Sequence, residues 1–364
     1  MLPFIKETET AWDRLKNTNK PIVLYGMGNG ADKILDWCDA NGVKVAAIFA
    51  SDDFVRGQIF RGYKICKYAD VASQYQDFLL VIAFASESPV VLEHFFALAE
   101  KHETLAPHLP LFEGDEVVSS SWLAKYQKEL MEVYTNLADE KSKEVFASTL
   151  NYKLSGKLDY LQRITTQREE DCRQLFQFSK NETFVDLGAY DGDTIKEFLN
   201  YTAFSYREIV ALEPDSKNFK KLQRFVEKAG LEHVLLLNKG IWSEEGALSF
   251  AASGGRQSAL QSDGKVEVPV DSVDHIMQGR PVSYMKLDVE GAEFEALSGA
   301  AETIGRWAPK LFVAAYHRDD DLWRLPLLLW QLNKKYDIYL RKHPYVPAWE
   351  LNFLAVTQEA TQGQ

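Results

Sequence analysis

Short apolar runs alternate with helical stretches in two series along this chain, and that alternation admits few folds. The first series is Pro21–Tyr25, Val43–Phe49 and Phe78–Ala85. The second is Thr183–Leu187, Glu208–Leu212, Val234–Asn238, Val282–Leu287 and Leu311–Ala315. Runs this short, apolar throughout and bounded by Gly, Asn, Asp or Ser, read as buried strands. Helical crossovers between them make the sheets parallel, so the class is α/β. Residues 1–114 are expected to form a smaller α/β domain, opened by an amphipathic helix over 1–19. Residues 180–364 are expected to form a doubly wound sheet, its edge closed by an antiparallel pair, Asp337–Arg341 and Leu351–Val356. Strand signals are absent between these units. There Trp122, Leu123, Tyr126, Leu130, Val133, Tyr134 and Leu137 recur at helical spacing, and the pattern breaks near Gly156. Residues 115–179 therefore read as a helical connector, its apolar stripe serving as core or as a homodimer interface.

The segment 184–194, Phe-Val-Asp-Leu-Gly-Ala-Tyr-Asp-Gly-Asp-Thr, carries most of the functional information. A buried strand ends at Asp186, a loop with Gly188 and Gly192 follows, and Asp193 and Thr194 are placed to cap a helix. The N–H groups of that helix N-terminus suit a ligand carboxylate, and Asp186 suits a ligand ammonium. The candidate loop is Gly188, Ala189, Tyr190, Asp191, Gly192 and Asp193. Glu213, 27 residues after Asp186 and followed by Pro214, sits at the next strand tip, where an acidic residue accepts from both hydroxyls of a ribose. At the third tip, Gly240, Ile241 and Trp242 offer backbone and an apolar side chain to an adenine. No Lys or Arg occurs from Phe184 to Thr194, so the three carboxylates there repel a pyrophosphate and favour a cationic nucleoside bearing a free ammonium.

The balance of charge narrows the partners. With 41 Lys and Arg against 53 Asp and Glu, the formal net charge is -12, which opposes a nucleic-acid surface and docking on anionic lipid. Cys38, Cys66 and Cys172 are too few and too widely spaced for a disulfide framework or zinc site. With no signal-peptide pattern and no apolar run of membrane-spanning length, the expected location is the cytoplasm.

Four segments resemble the FkbM family of methyltransferases: VDLGAYDGDT (185–194), ALEPDSKNFKKL (211–222), NKGIWSEEGALSF (238–250) and, most specifically, SYMKLDVEGAEFEALSGA (283–300). The resemblance covers about residues 180–357. It implies a class I methyltransferase fold, Rossmann-like and doubly wound, using S-adenosylmethionine to methylate hydroxyls of sugars, nucleotide-sugars, polyketides or similar small metabolites. The N-terminal unit lies outside the family's core and looks like the small Rossmann-like units found beside some sugar-modifying enzymes.

On this reading the acceptor chemistry belongs at the fourth and fifth strand tips. Asp288 and Glu290 are expected to face the acceptor, and His317 is expected to serve as general base because its ordinary pKa lies near neutrality. The same three side chains offer an oxygen–nitrogen set to a divalent ion, but their spacing is not diagnostic, and no metal is expected. Gly246–Val270 reads as a hairpin insertion, with Gly254–Ser258 either a plain surface turn or an acceptor lid in which Arg256 meets an anionic group. Arg341–Tyr345 reads as a solvated strand end. In the N-terminal unit, Gly26, Gly28 and Gly30 with Asp52 fall short of a dinucleotide fingerprint and are expected to serve packing or dimerisation. The rival functions are a scaffold that binds S-adenosylmethionine without turnover, and a nucleotide-dependent oxidoreductase centred on the N-terminal unit.

Overall fold

The structure, a computed structural model, describes residues 2–112, 114–250 and 266–357. The N-terminal unit contains β1 (Ile22–Tyr25), β2 (Val45–Phe49), a small hairpin of β3 (Ile59–Phe60) and β4 (Tyr63–Lys64), then β5 (Leu79–Ile82) and β6 (Glu103–Leu105). A parallel sheet in the order β2-β1-β5-β6 forms its centre. β1 and β5 are buried at every position, which is why they read as unbroken apolar runs.

The expected leading helix over 1–19 is confined to Ala11–Asn17. Thr10 starts it through a capping box with Asp13. The preceding residues turn at Pro3-Phe4 and are held by Asn151 of the connector, which accepts from the Lys6 and Glu7 N–H groups and donates to the Phe4 carbonyl. Leu2 and Phe4 are thereby buried in the core, a gain that overrides the local helical pattern.

The connector is helical as expected, over Ser120–Lys125, Gln127–Asn136, Glu140–Ser155, Asp159–Ile164 and Arg168–Phe176. Trp122, Leu123, Leu130, Val133 and Leu137 of its apolar stripe are buried in the core, and Tyr126 stacks on Trp323 with ring centroids 4.9 Å apart. One buried cluster runs through all three parts, joining Tyr25 and Phe95 to Trp122 and Phe146 and on to Leu287 and Phe353.

The C-terminal sheet contains β7 (Thr183–Leu187), β8 (Glu208–Leu212), β9 (Val234–Leu237), β13 (Tyr284–Leu287), β14 (Lys310–Ala314), β15 (Tyr336–Lys342) and β16 (Leu351–Thr357). Their order is β15-β16-β14-β13-β7-β8-β9. The five strands from β14 to β9 are parallel, and β15 and β16 close the edge antiparallel. β10 (Gly240–Ile241), β11 (Gly246–Phe250) and β12 (Val266–Asp271) form a separate three-stranded sheet, in which β11 and β12 are the expected hairpin. Gly254–Ser258, read as a lid, lies outside the described residues.

β7 comes first in this unit but lies in the middle of its sheet. Succeeding strands are added on one side by β8 and β9 and on the other by β13 and β14. The order in which strands are added across the sheet thus reverses between β7 and β13, the switch point where open α/β sheets present a ligand crevice at the strand C-termini. Two expectations are corrected near the sheet's edge and rim. Arg341, Lys342 and His343 are buried, because Arg341 pairs with Asp139 and Asp171 of the connector, at 2.6 and 3.2 Å. Lys342 donates to the Tyr345 carbonyl at 2.9 Å. The segment is a seam against the connector, not a solvated strand end. The helix after β7, Asp193–Tyr201, has Gly192 at its N-cap and no side-chain cap: Thr194 turns its hydroxyl inward to Asp186, and Asp193 accepts only the adjacent Thr194 N–H, at 2.8 Å.

Candidate active site

The crevice has a wall on each side of the switch point. On the β7 wall, Asp186 is fully buried. One of its carboxylate oxygens accepts from Thr194, and the other, Oδ1, has no hydrogen-bond partner and lies 3.7 Å from the Lys286 ammonium. Burial raises the pKa of Asp186 and Lys286 opposes the rise. Lys286 also donates to the Gly188 carbonyl at 2.8 Å and lies 3.8 Å from Asp288, so one ammonium ties the two loops together. Gly188 is required by that junction. Its φ is +81°, and a Cβ there would fall 2.0 Å from the Asp288 carbonyl oxygen. The approach it permits is loop on loop rather than backbone on ligand.

Glu213 connects the same loop to the β8 tip. Its two oxygens accept the Tyr190 and Asp215 N–H groups, both at 2.9 Å. Burial pushes its carboxyl up to about 7, although both N–H groups favour the charged form. Each oxygen still has a lone pair to offer a further donor. Asp191 is half-buried and Asp193 exposed. Ala189 is buried, its N–H on the Leu212 carbonyl, and Tyr190 is exposed at φ +48° with the Lys221 ammonium 5.3 Å from its ring centroid. Asn238 donates to the Glu213 and Pro214 carbonyls at 2.8 and 3.1 Å, which fixes the second tip against the third. Gly240 and Ile241 are buried in β10, and Trp242 is half-buried, its N–H on the Asp271 carbonyl at 2.8 Å.

The opposite wall gathers the expected acceptor residues. His317, three residues beyond β14 and 3 % exposed, has Nε2 at 3.6 Å from Asp288 and 3.5 Å from Glu290. Its Nδ1 lies 2.9 Å from Glu293 Oε1, an ion-pair contact outside hydrogen-bond alignment. Tyr316 donates to Asp288 at 3.1 Å, and Glu293 Oε1 also accepts the Val289 N–H at 2.9 Å. Burial works against a charged imidazole here, but Glu293, Asp288 and Glu290 outweigh it and push His317 up to about 10. The three carboxylates thus hold the imidazole protonated, which removes the neutral base expected from its ordinary pKa. Burial likewise pushes Glu290 up to about 7, with the neighbouring Asp288 and Glu293 charges adding to the rise and His317 opposing it. Asp288 moves the other way: Lys286 and His317 overcome its burial and keep its carboxyl below the usual range. Glu290 remains reachable, its side chain 48 % exposed, and Asp288 is 30 % exposed.

Lys286 and Glu293 are the residues that reading the sequence for strand tips missed. Lys286 precedes Asp288 by two residues and so shares its face of the strand, a signal that period-2 alternation carries. Glu293, buried in the first turn of the helix Glu293–Ser298, gave no such signal. Outside this crevice, two of the three N-terminal glycines lie in close packing, whereas Gly28 faces open space. A Cβ on Gly26 would fall 2.5 Å from the Phe84 ring, and one on Gly30 would fall 2.3 Å from the Ala83 carbonyl oxygen. Asp52 is exposed, 3.6 Å from Lys67.

Comparison with known proteins accords with this geometry. The family described as the methyltransferase FkbM domain matches residues 186–347. No curated protein matches the chain. Among solved structures, the chain is similar to the methyltransferase FkbM from Methylobacillus flagellatus KT. The two share 18 % identity with a TM-score of 0.73, over 97 % of this chain and 95 % of that one, so the likeness of fold includes the N-terminal unit. An rRNA methylase from Streptococcus thermophilus aligns with 52 % of this chain and 93 % of its own, at 11 % identity and a TM-score of 0.34. A precorrin-6y C5,15-methyltransferase from Geobacter metallireducens GS-15 aligns with 52 % of this chain and 90 % of its own, at 12 % identity and a TM-score of 0.32. Through its C-terminal part, residues 186–347, this chain carries a methyltransferase FkbM domain.

Proposed function

We propose that the protein transfers a methyl group from S-adenosylmethionine to a hydroxyl of a small, sugar-like acceptor. The observation that carries the reading is the construction at the switch point: Glu213 holds the loop after β7 through the Tyr190 N–H while keeping lone pairs for ribose hydroxyls. The fit extends to the rest of the donor. The unpartnered oxygen of Asp186 suits an ammonium, and the helix at Asp193 begins without a side-chain cap and so leaves N–H groups for a carboxylate. Gly240–Trp242 would border the adenine.

When bound, S-adenosylmethionine supplies a methyl group activated on sulfur, so the acceptor oxygen bonds to carbon as the carbon–sulfur bond breaks and its electron pair leaves with sulfur. The protein's tasks are to align the acceptor and to take its hydroxyl proton. Glu290 is placed for the second task, since a carboxylate of pKa about 7 that solvent can reach is matched to proton transfer near neutral pH. Asp288, kept ionised by Lys286 and His317, would accept from a second acceptor hydroxyl, and the His317 imidazolium would orient both carboxylates.

Calorimetric titration of S-adenosylmethionine tests the donor half. Binding to wild type that weakens at least about tenfold in Glu213→Ala is expected, since a hydrogen bond to a charged group contributes roughly 1.5–3 kcal/mol. A wild type that binds no donor, alone or with acceptor present, overturns the reading. A screen of sugar nucleotides and simple glycosides for methylated product follows. Donor binding without turnover of any acceptor would favour the scaffold function.

A further inference from the structure

The geometry points to a site for a hard divalent cation, of the Mg²⁺ or Mn²⁺ kind, held by Asp288, Glu293 and His317 at the acceptor wall. The inference rests on the methyltransferase reading and deepens it. One ligand atom from each of the three residues lies within 4.8 Å of the other two. One polar atom of the cluster, Glu293 Oε2, lacks a hydrogen-bond partner on a side chain that is wholly buried, while Oε1 of the same carboxylate already meets His317 Nδ1 at 2.9 Å. Buried polar atoms are seldom left so, because an unmade bond costs about 1–3 kcal/mol.

The spacing has the same sense. At 3.6 Å, the contact of His317 Nε2 with Asp288 exceeds hydrogen-bond length. It approaches the separation of about 3–3.5 Å between neighbouring ligands around a cation with bonds of about 2.1 Å. Charge also favours a cation here. Asp288, Glu290 and Glu293 all lie within 3.6 Å of the one imidazole. Against them stand His317 itself and Lys286, whose ammonium is shared with Asp186. Arg318, next in the chain, turns its guanidinium to Asp115 instead. The cation would take the place of the imidazolium proton: two carboxylates and one neutral imidazole form a donor set suited to Mg²⁺ or Mn²⁺, and the exposed flank at Asp288 and Glu290 leaves coordination positions for water or acceptor oxygens. A cation there would lower the pKa of a bound acceptor hydroxyl. Among the described residues, a second cluster of this type, Glu245, Asp271 and His275, already contains a cation, the Lys239 ammonium at 2.8 Å from Asp271.

The test is titration of Mn²⁺ into the full chain, with free Mn²⁺ read from its electron paramagnetic resonance signal. One bound Mn²⁺ per chain is expected, weakened by about tenfold or more in Asp288→Asn and in Glu293→Gln and unchanged in Glu245→Gln. Circular dichroism checks that each variant is folded, and if Glu293→Gln is not, Asp288→Asn, altered at a partly exposed carboxylate, carries the result. Absence of binding at millimolar Mn²⁺, undiminished binding in Asp288→Asn, or loss in Glu245→Gln would each overturn the site. A parallel titration with S-adenosylmethionine separates the two claims. Donor binding without Mn²⁺ binding refutes the cation alone, whereas failure of the donor titration refutes the reading on which it rests.

Discussion

At the scale of single residues, burial sets the chemistry of this crevice more than residue identity does. Glu213, Glu290 and Asp288 are all carboxylic acids at strand tips, yet burial pushes the first two up to about 7 while Lys286 and His317 hold the third down. Glu213 offers the cleanest measurement, because its partners are backbone N–H groups that no substitution at 213 removes. Its pKa is raised in the folded state, so the folded protein binds the proton more tightly than the unfolded chain does. The stability it contributes is complete below about 4.5 and is lost as pH rises through about 7, a loss of up to about 3 kcal/mol. Glu213→Gln cannot ionise and lacks that loss. In thermal melts without ligand, its melting temperature relative to wild type should climb steadily from pH 5 to pH 8. A difference that stays flat across this range would show that Glu213 is not perturbed as described.

At the scale of elements, the loops after β7 and β13 are a single construction. Lys286 bonds the Gly188 carbonyl from below, and Gly188 lies against the Asp288 backbone. Gly188→Ala sets a Cβ into the Asp288 carbonyl and forces an L-residue to keep φ +81°, strain of about 1–3 kcal/mol before the clash is counted. The variant should therefore melt lower and lose both donor binding and turnover, although residue 188 would need to touch neither ligand. Retention of both functions with an unchanged melting temperature would show that the loops move independently. The strands on which these loops sit were legible in the sequence, since β7, β13 and β14 are buried on both faces and so mostly apolar apart from Thr183, Asp186, Lys286 and Lys310. The strand tips were legible for the same reason, because Asp186, Glu213 and Asp288 interrupt or end apolar runs. What was illegible is what depends on partners distant in sequence. The helical pattern over 1–9 yields to Asn151, some 145 residues away. The basic run at 341–343 is buried because Asp139 and Asp171 come to meet it. The charge on His317 depends on Glu293, which lies on a helix whose contacts no local pattern reports.

At the scale of the whole molecule, the parts that look separable in sequence are joined by a buried polar knot. Asp319, two residues beyond His317, accepts from the Lys153 ammonium of the connector, from the Val118 N–H at 2.9 Å and from His108, which lies beyond β6, at 2.8 Å. Lys153 and Asp319 are almost wholly buried, and His108 and Lys153 overcome the burial that would otherwise raise Asp319, holding its carboxyl far below the usual range. A buried carboxylate left without its cation costs about 3–5 kcal/mol. Since the apolar core also runs unbroken from Tyr25 to Phe353, the cost should fall on the whole chain and not on one unit. Lys153→Met should therefore lower the melting temperature by roughly 5 °C while scanning calorimetry still shows a single transition. Adding Asp319→Asn removes the stranded charge but keeps an acceptor for Val118, and should recover part of the loss. The sign with pH follows from the depressed pKa: the stability from Asp319 is present above its unfolded value and disappears as pH falls. The deficit of Lys153→Met should accordingly shrink in acid, where the wild type loses the same pair. Two transitions, with only one displaced by Lys153→Met, would mean instead that the N-terminal unit and the methyltransferase domain fold separately and that the knot is a contact between finished parts.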